Sequence, residues 1–278
     1  MVCLELLARQ DEENNFQLYK ILKENNIEVF IPQNGIKLHA KTFLIQRENQ
    51  FLTHISTGNY NQNTAKQYID IGILSNHQNT AKEILFLFQN HFKIDYQQHL
   101  KKLNFLSVAP YFIHSKIMRL IQQESAFAKQ KKRAKIIAKI NALTEPKIIQ
   151  ALKDAAENGV QIRLIVRGAS LLKPQKNIQI ISVLGDFLEH SRLIYFYHNG
   201  KEKCYISSAD WMPRNLFQRI ELLYPIFDKK IKRFLIQNAL QNYFKSSHFE
   251  MQKNGHYIFK EKFKNAQIEP YLKLLKGL

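Results

Sequence analysis

Apolar residues in this chain fall into two alternating kinds of segment: short runs rich in Val, Ile, Leu, Phe and Tyr, and longer stretches in which they recur every three or four positions. The first kind predicts strands and the second predicts helices with one face on a core. Strands are expected over 3–8, 27–31, 38–46 and 51–56, with helices over 11–25, acidic in its first turn, and 79–92. A second block then begins. It comprises helix 114–129, strand 134–140, helix 146–158 closed by Gly159, strands 160–166, 178–183, 193–197, 203–207 and 220–224, and helix 229–244. The alternation predicts an α/β fold of two similar lobes, each a mixed β-sheet flanked by helices. The division lies near residues 93–110, giving a first lobe of 1–100 and a second of 101–278.

The two blocks share more than their element order. His39-Ala40-Lys41 is followed by Ser56-Thr57-Gly58-Asn59, and His190-Ser191-Arg192 by Ser207-Ser208-Ala209-Asp210, with 20 residues from each histidine to the Asn or Asp. Upstream, Asn26-Ile27 and Asn177-Ile178 each begin 13 residues before their histidine. A lone His-x-Lys arises by chance in many proteins, and a single histidine at a strand start is usually structural. A spacing kept over more than thirty residues argues instead for a duplicated unit, each copy giving half of one site.

That pattern suits phosphoryl transfer. Residues i and i+2 of a strand share a face, so His39 projects with Lys41 and His190 with Arg192. A neutral imidazole is a competent nucleophile or proton carrier near pH 7, and a neighbouring cation holds phosphate oxygens. Two such pairs facing each other would clamp one phosphorus.

Composition narrows the partners. With 45% hydrophobic and 23% charged residues the chain is globular, and its formal net charge of +18 implies a polyanionic partner: nucleic acid, an anionic membrane or a phosphate polymer. Cys3 and Cys204 form neither a metal-ligand spacing nor a disulfide framework, which leaves buried free thiols in a reducing compartment. No signal-peptide pattern is present and the longest apolar run, 84–88, is too short to span a membrane. A cytoplasmic protein without a transmembrane segment is expected.

Val2 to Arg9 parallels Val160 to Arg167, yet the second block carries a strand and a helix ahead of that point and the first does not. Strand 3–8 is therefore expected at a sheet edge with part of its apolar face bare. Lys129 to Lys139 reads as a solvated charge run, and Trp211 and Met212 as packing beneath the second site. His54, His77, His91, His99, His114, His198, His248 and His256 show no partner pattern and read as surface or structural residues. The aromatic tail after Phe244 reads as closing the core.

The segments Ile36 to Lys41, Ser56 to Asn61 with Thr64-Ala65 and Tyr68-Ile69-Asp70, Leu164 to Gly168, Phe187 to Arg192 and Ser207 to Asn215 closely resemble the two C-terminal domains of bacterial polyphosphate kinase. The string Ser-Ser-Ala-Asp-Trp-Met-x-Arg-Asn is highly specific, and the resemblance covers nearly the whole chain. It implies two phospholipase D-like lobes and reversible transfer of the ATP γ-phosphoryl to inorganic polyphosphate. His39 would then be the phosphorylated histidine, with Lys41 and Arg192 beside the reaction. His190 would be the second catalytic histidine and a nucleotide-phosphate contact. Tyr68 and Arg167 would contact nucleotide and phosphate, with Asn59 and Asp210 in the same set. Arg9 matches an arginine of the phosphate and Mg2+ site; a guanidinium cannot ligate a cation, so it would act through phosphate oxygens.

Family members carry an N-terminal domain and a head domain ahead of these two. The resemblance therefore implies a C-terminal fragment or split-gene half, a homo-oligomer, ATP or ADP as substrate, and a separate chain carrying the other domains. Two other readings stay open. A phospholipase D or nuclease-type phosphodiesterase is disfavoured because such enzymes place an aspartate shortly after each His-x-Lys, where this chain has Gln46-Arg47 and Tyr195-Phe196. The other is an inactive polyanion-binding fragment.

Overall fold

The continuous apolar strands of the second half need cover on both faces, and they receive it. A computed structural model describes residues 1–6, 12–32, 36–92, 97–262, 265 and 267. The first half contains β1 (Val2–Cys3), α1 (Glu12–Glu24), β2 (Val29–Phe30), β3 (Lys37–Leu38), β4 (Lys41–Arg47), β5 (Gln50–Ser56), α2 (Gln62–Gln67), β6 (Tyr68–Ile69), β7 (Gly72–Ser75), α3 (Gln78–Gln89) and α4 (Gln97–Leu100). The second contains β8 (Ser107–Ala109), α5 (Ile113–Lys129), β9 (Lys135–Ile140), α6 (Pro146–Glu157), β10 (Gln161–Val166), β11 (Ile178–Ser182), β12 (Leu188–Glu189), β13 (Leu193–Phe196), β14 (Lys203–Ser207), α7 (Pro213–Phe217), β15 (Arg219–Pro225), α8 (Lys229–Leu235), β16 (His248–Met251) and β17 (Tyr257–Lys260).

A 10-stranded sheet runs β17-β16-β11-β10-β9-β13-β14-β15-β3, with β8 also paired to β15. On one face α5 and α6 press Ile117, Leu120 and Leu152 onto Ile136, Ile162 and Phe196. On the other, Ile137, Ile165 and Tyr195 meet Leu235 and Phe244 and, from the first half, Ile84 and Leu87 of α3. The helix α6 starts where the sequence places it because Pro146 occupies its first turn and the Glu145 carboxylate accepts from Ile148 N–H. Gly159, at φ +101°, ends it.

The first half has its own antiparallel sheet, β4-β5-β7, and a parallel pair, β1-β2. The spacing that carries His39 onto His190 also carries β3 onto β12, β4 onto β13, β5 onto β14, α2 onto α7 and β7 onto the end of β15. Two seams join the halves. β3 runs parallel to the start of β15, with Lys37 opposite Arg219 and Leu38 opposite Ile220. β12 runs parallel to β6, with Leu188 opposite Tyr68 and Glu189 opposite Ile69. These are the same two positions of the repeat exchanged in both directions, so a pseudo-two-fold axis relates the seams.

Several expectations change. Strand 38–46 breaks at His39-Ala40, whose N–H groups both donate to the Ile220 carbonyl across the first seam. Strand 3–8 is seen as Val2–Cys3, and residues 7 and 8 lie outside the described ones. β1 pairs only with β2 among the described strands, as an edge strand does. Val2 pairs with Val29, whose repeat equivalent Ile180 pairs with Leu164; in register Val2 therefore stands where Leu164 does, not Val160. Helix 229–244 closes as α8 at Leu235 and continues as a π turn over Ile236–Leu240 and a 3-10 turn over Gln241–Lys245. The tail adds β16 to the sheet and buries Met251, but every residue of β17 is exposed.

Cys204 is buried and Cys3 half-buried, both free; burial pushes each thiol up to about 12. No described helix is long and apolar enough to cross a membrane.

Candidate active site

Each seam ends on a histidine held against the opposite half. The N–H groups of His39 and Ala40 reach the Ile220 carbonyl at 2.9 and 3.1 Å; those of His190 and Ser191 reach the Ile69 carbonyl at 3.2 and 2.9 Å. The next residue along the facing segment is a carboxylate in both cases. His39 Nδ1 lies 2.9 Å from Glu221 Oε2, and His190 Nδ1 lies 2.8 Å from Asp70 Oδ1. Asp70 and Glu221 occupy equivalent places in the repeat, so each lobe orients the other lobe's histidine.

The carboxylates are themselves fixed. Thr57 Oγ1 donates to Asp70 Oδ1 at 2.6 Å, and Asn215 Nδ2 donates to Glu221 Oε1 at 2.6 Å. Thr57 and its equivalent Ser208 accept from the N–H groups of Ile71 and Leu222, both at 3.0 Å. An ionised carboxylate only accepts, so Nδ1 of each ring carries the proton and Nε2 the lone pair. The two lone pairs then differ. Arg192 Nη1 donates to His190 Nε2 at 3.1 Å, whereas His39 Nε2 has no partner among the described residues.

Both cations also reach back to the backbone of their own histidines. Lys41 Nζ donates to the His39 carbonyl, and Arg192 Nη1 to the His190 carbonyl at 2.7 Å. Arg192 also forms a two-pronged pair with Asp210, at 3.1 Å from Nε and 3.0 Å from Nη2, and Asp210 accepts from Asn141 N–H. Asn59, the equivalent of Asp210, is neutral and exposed.

Burial lowers the pKa of both histidines. For His39 the Glu221 hydrogen bond opposes this while Lys41 and Arg192 reinforce it; for His190 Asp70 opposes and Arg192 and Lys41 reinforce. Burial alone would raise Glu221 and Asp70, but their hydrogen bonds to His39 and His190 outweigh it and hold both below the usual carboxylate range. Neutral imidazoles beside ionised carboxylates follow. Burial, reinforced by Arg192 and Arg219 against Glu221 and Asp70, brings the Lys41 ammonium down to about 7.

Of the residues expected in the site, His39, His190, Lys41 and Arg192 meet at the seams. The Tyr68 ring lies 5.0 Å from that of His190. Arg167 follows β10; burial lowers its pKa, with Asp210 opposing and Arg192 reinforcing, and its buried Nη1 has no partner among the described residues. Asn59 joins Lys37, His39, Lys41, Asn61 and Arg219 around a cavity of about 430 Å³. Arg9 lies outside the described residues. The role of Glu221 was not read from the sequence, although its signal is there: the spacing between the histidines also separates Asp70 from Glu221.

The described residues contain no group of three metal-ligating side chains, and the acids at the seams are already engaged with His39, His190 and Arg192. These residues do not form a cage for Mg2+.

As pH rises through about 7, Lys41 loses its charge, whereas the histidines, with lowered pKa, are already neutral. Affinity for a phosphate-bearing anion at Lys41 should therefore fall between pH 6.5 and 8.5, and Lys41→Arg should flatten the profile. Fluorescence titration across pH checks this; identical slopes for both proteins would count against a titrating Lys41.

Residues 1–98 match the model of polyphosphate kinase C-terminal domain 1, and residues 106–269 that of polyphosphate kinase C-terminal domain 2. The chain belongs to the polyphosphate kinase family. It is 37% identical to the polyphosphate kinase of Bacillus anthracis, the match covering 99% of this chain and 40% of that protein. It is 41% identical to that of Halalkalibacterium halodurans, over 85% of this chain and 34% of the relative. The crystal structure of polyphosphate kinase from Porphyromonas gingivalis superposes with a TM-score of 0.88 at 32% identity, covering 99% of this chain and 44% of that one. The phosphatidylserine synthase of Haemophilus influenzae matches at TM-score 0.53 and 12% identity over 99% of this chain and 86% of that one, a likeness of fold alone. The expected α/β class, mixed sheet flanked by helices, stands on the observed sheet and these likenesses. The chain spans about two fifths of the length of its polyphosphate kinase relatives.

Proposed function

We propose that this chain is the catalytic part of a polyphosphate kinase, moving the γ-phosphoryl of ATP to the end of inorganic polyphosphate, reversibly, through a phosphohistidine. The observation that carries the reading is the crossed pair of carboxylate–histidine contacts in which, of the two histidines, His39 presents an Nε2 with no partner among the described residues. His39 Nε2 attacks the γ-phosphorus; a P–N bond forms, the bond to the bridging oxygen breaks, and ADP leaves. A terminal polyphosphate oxygen then attacks the same phosphorus, forming P–O and breaking P–N. Once substrate displaces Arg192 from Nε2, the His190 lone pair there takes a proton from the attacking oxygen and, so charged, returns it to the leaving oxygen in the reverse direction. Lys41, Arg192 and Arg167 offset the charge of the transferring group, and Tyr68 borders the nucleotide. Asp210 acts by holding Arg192, and Asn59 faces the phosphates. Magnesium would enter with ATP and supply charge neutralisation, since the described residues form no cage for it.

The same reading takes residues 1–100 and 101–278 as the two lobes, acting in the cytoplasm with its ATP. The test is labelling with γ-labelled ATP and magnesium. Wild type should acquire an acid-labile, base-stable label that His39→Ala loses; equal labelling of both would overturn the assignment.

A further inference from the structure

A second concentration of charge lies at the ends of β13 and β14 turned away from the paired histidines. Antiparallel register sets Leu193 opposite Ile206 and Phe196 opposite Lys203, so ~13 Å of strand separates Arg192 from the level of Lys203. Lys203 and Tyr205 alternate onto the face that α5 covers. Lys116 and Arg119 stand one turn apart on that helix, and Lys116 Nζ lies 6.0 Å from the centre of the Tyr205 ring. Burial lowers the pKa of Lys116 and of Lys203; Arg119 and Lys203 reinforce this at Lys116, and Arg119 and Lys201 at Lys203, where Glu124 opposes. Lys116 and Arg119 also join Lys101 around a cavity of about 350 Å³ whose described lining includes no carboxylate. None of these five cations forms an ion pair among the described residues. The acids bordering the stripe are engaged: Glu83 with the N–H groups of Asn104, Phe105 and Leu106, Glu124 with those of Lys135 and His198, and Glu202 with the Tyr195 hydroxyl. Such an excess of cations favours an extended polyanion. The aromatic rings beside it are covered: Lys116 lies over Tyr205, Arg133 over Tyr197, and Phe112 packs against the core. Single-stranded nucleic acid needs open rings on which to stack its bases, and a phosphate polymer needs none.

We propose that the stripe from Lys101 through Lys116 and Arg119 to Lys203 and Lys201 is a second binding surface for inorganic polyphosphate, separate from the histidine pair, which holds the body of a long chain while its end reacts at His39. This rests on the kinase reading above and adds a preference for chain length. A chain long enough to touch both places engages the second without a new encounter and is held more tightly. A chain too short to span them gains nothing.

The test is equilibrium binding, which needs no turnover. Long-chain polyphosphate, tripolyphosphate and ATP are titrated separately against wild type, Lys116→Gln/Arg119→Gln, Arg119→Gln, and Lys253→Gln/Lys260→Gln, an exposed control for lost charge at the β16–β17 hairpin on the far edge of the sheet. Lys116→Gln/Arg119→Gln should weaken the long chain roughly tenfold and flatten its salt dependence by roughly one unit of log–log slope per cation, with tripolyphosphate and ATP unmoved. Arg119 is exposed, so Arg119→Gln keeps the fold and decides alone if the double variant fails to fold, judged by thermal melting. A loss no larger than the control's, or an equal loss of tripolyphosphate, would overturn the second surface and leave the kinase reading standing. Single-stranded RNA that competes as well as polyphosphate at matched phosphate concentration would overturn the choice of polymer. A wild type that binds neither ATP nor tripolyphosphate would overturn the kinase reading, while the long-chain titration still decides the stripe.

Discussion

Glu221→Gln is expected to slow phosphorylation of His39 by roughly 10²- to 10⁴-fold while leaving the fold intact, the range seen when a histidine-orienting carboxylate is lost or turned into an amide. The direction follows from the hydrogen bonds around the carboxylate. Asn215 Nδ2 donates to Oε1 at 2.6 Å, so an amide at this position places its oxygen toward Asn215 and its NH2 toward His39. An NH2 facing Nδ1 demands an acceptor there. The ring then moves its proton to Nε2, the atom that attacks phosphorus in the proposed reaction. Asn215→Ala/Glu221→Gln should recover part of the rate, because without Asn215 the amide is free to turn its oxygen to the imidazole. The measurement is single-turnover labelling of His39, with circular dichroism and melting to establish folding. A single variant labelled at the wild-type rate would mean that Glu221 does not set the tautomer.

Much of this arrangement was legible in the sequence because duplication is a stronger signal than any single motif. The spacing of His39 to Asn59 and His190 to Asp210 predicted two equivalent half-sites, and the α/β alternation predicted most strands of the large sheet, with β14 matching its expected range. Elements whose pairing depends on distant chain were invisible. β3, β6 and β12 have two residues each and exist because each lends its backbone to the other half, which no local apolar pattern encodes. The break at His39 has the same origin: apolar periodicity reads 38–46 as one strand, but the Ile220 carbonyl captures two successive N–H groups. The orienting carboxylates were hidden differently. A carboxylate contacting a histidine 182 positions away has no local signature, and only the shared spacing of Asp70 and Glu221 would have disclosed it.

The chain on its own should self-associate or precipitate and transfer little phosphate. The internal repeat shows why. Ile194 and Phe196 on β13 are 1% and 0% exposed because α5 and α6 lie over them, whereas their equivalents Phe43 and Ile45 on β4 are 39% and 53% exposed, with Leu74 of β7 at 60%. Among the described residues, nothing in the first half corresponds to those two helices, and β1 has β2 as its one strand partner. A bare apolar sheet face beside an unpaired strand edge favours contact with another chain. Ile45→Lys/Leu74→Glu should therefore shift the protein toward monomer in size-exclusion chromatography without restoring transfer. Adding a polypeptide that carries the region of the relatives this chain does not span should restore both solubility and transfer to the wild type, and less so to the charged variant, whose face can no longer be covered. A wild-type chain that elutes as a monodisperse monomer and transfers phosphate at full rate alone would show that the open face needs no cover and that the two histidine lobes suffice.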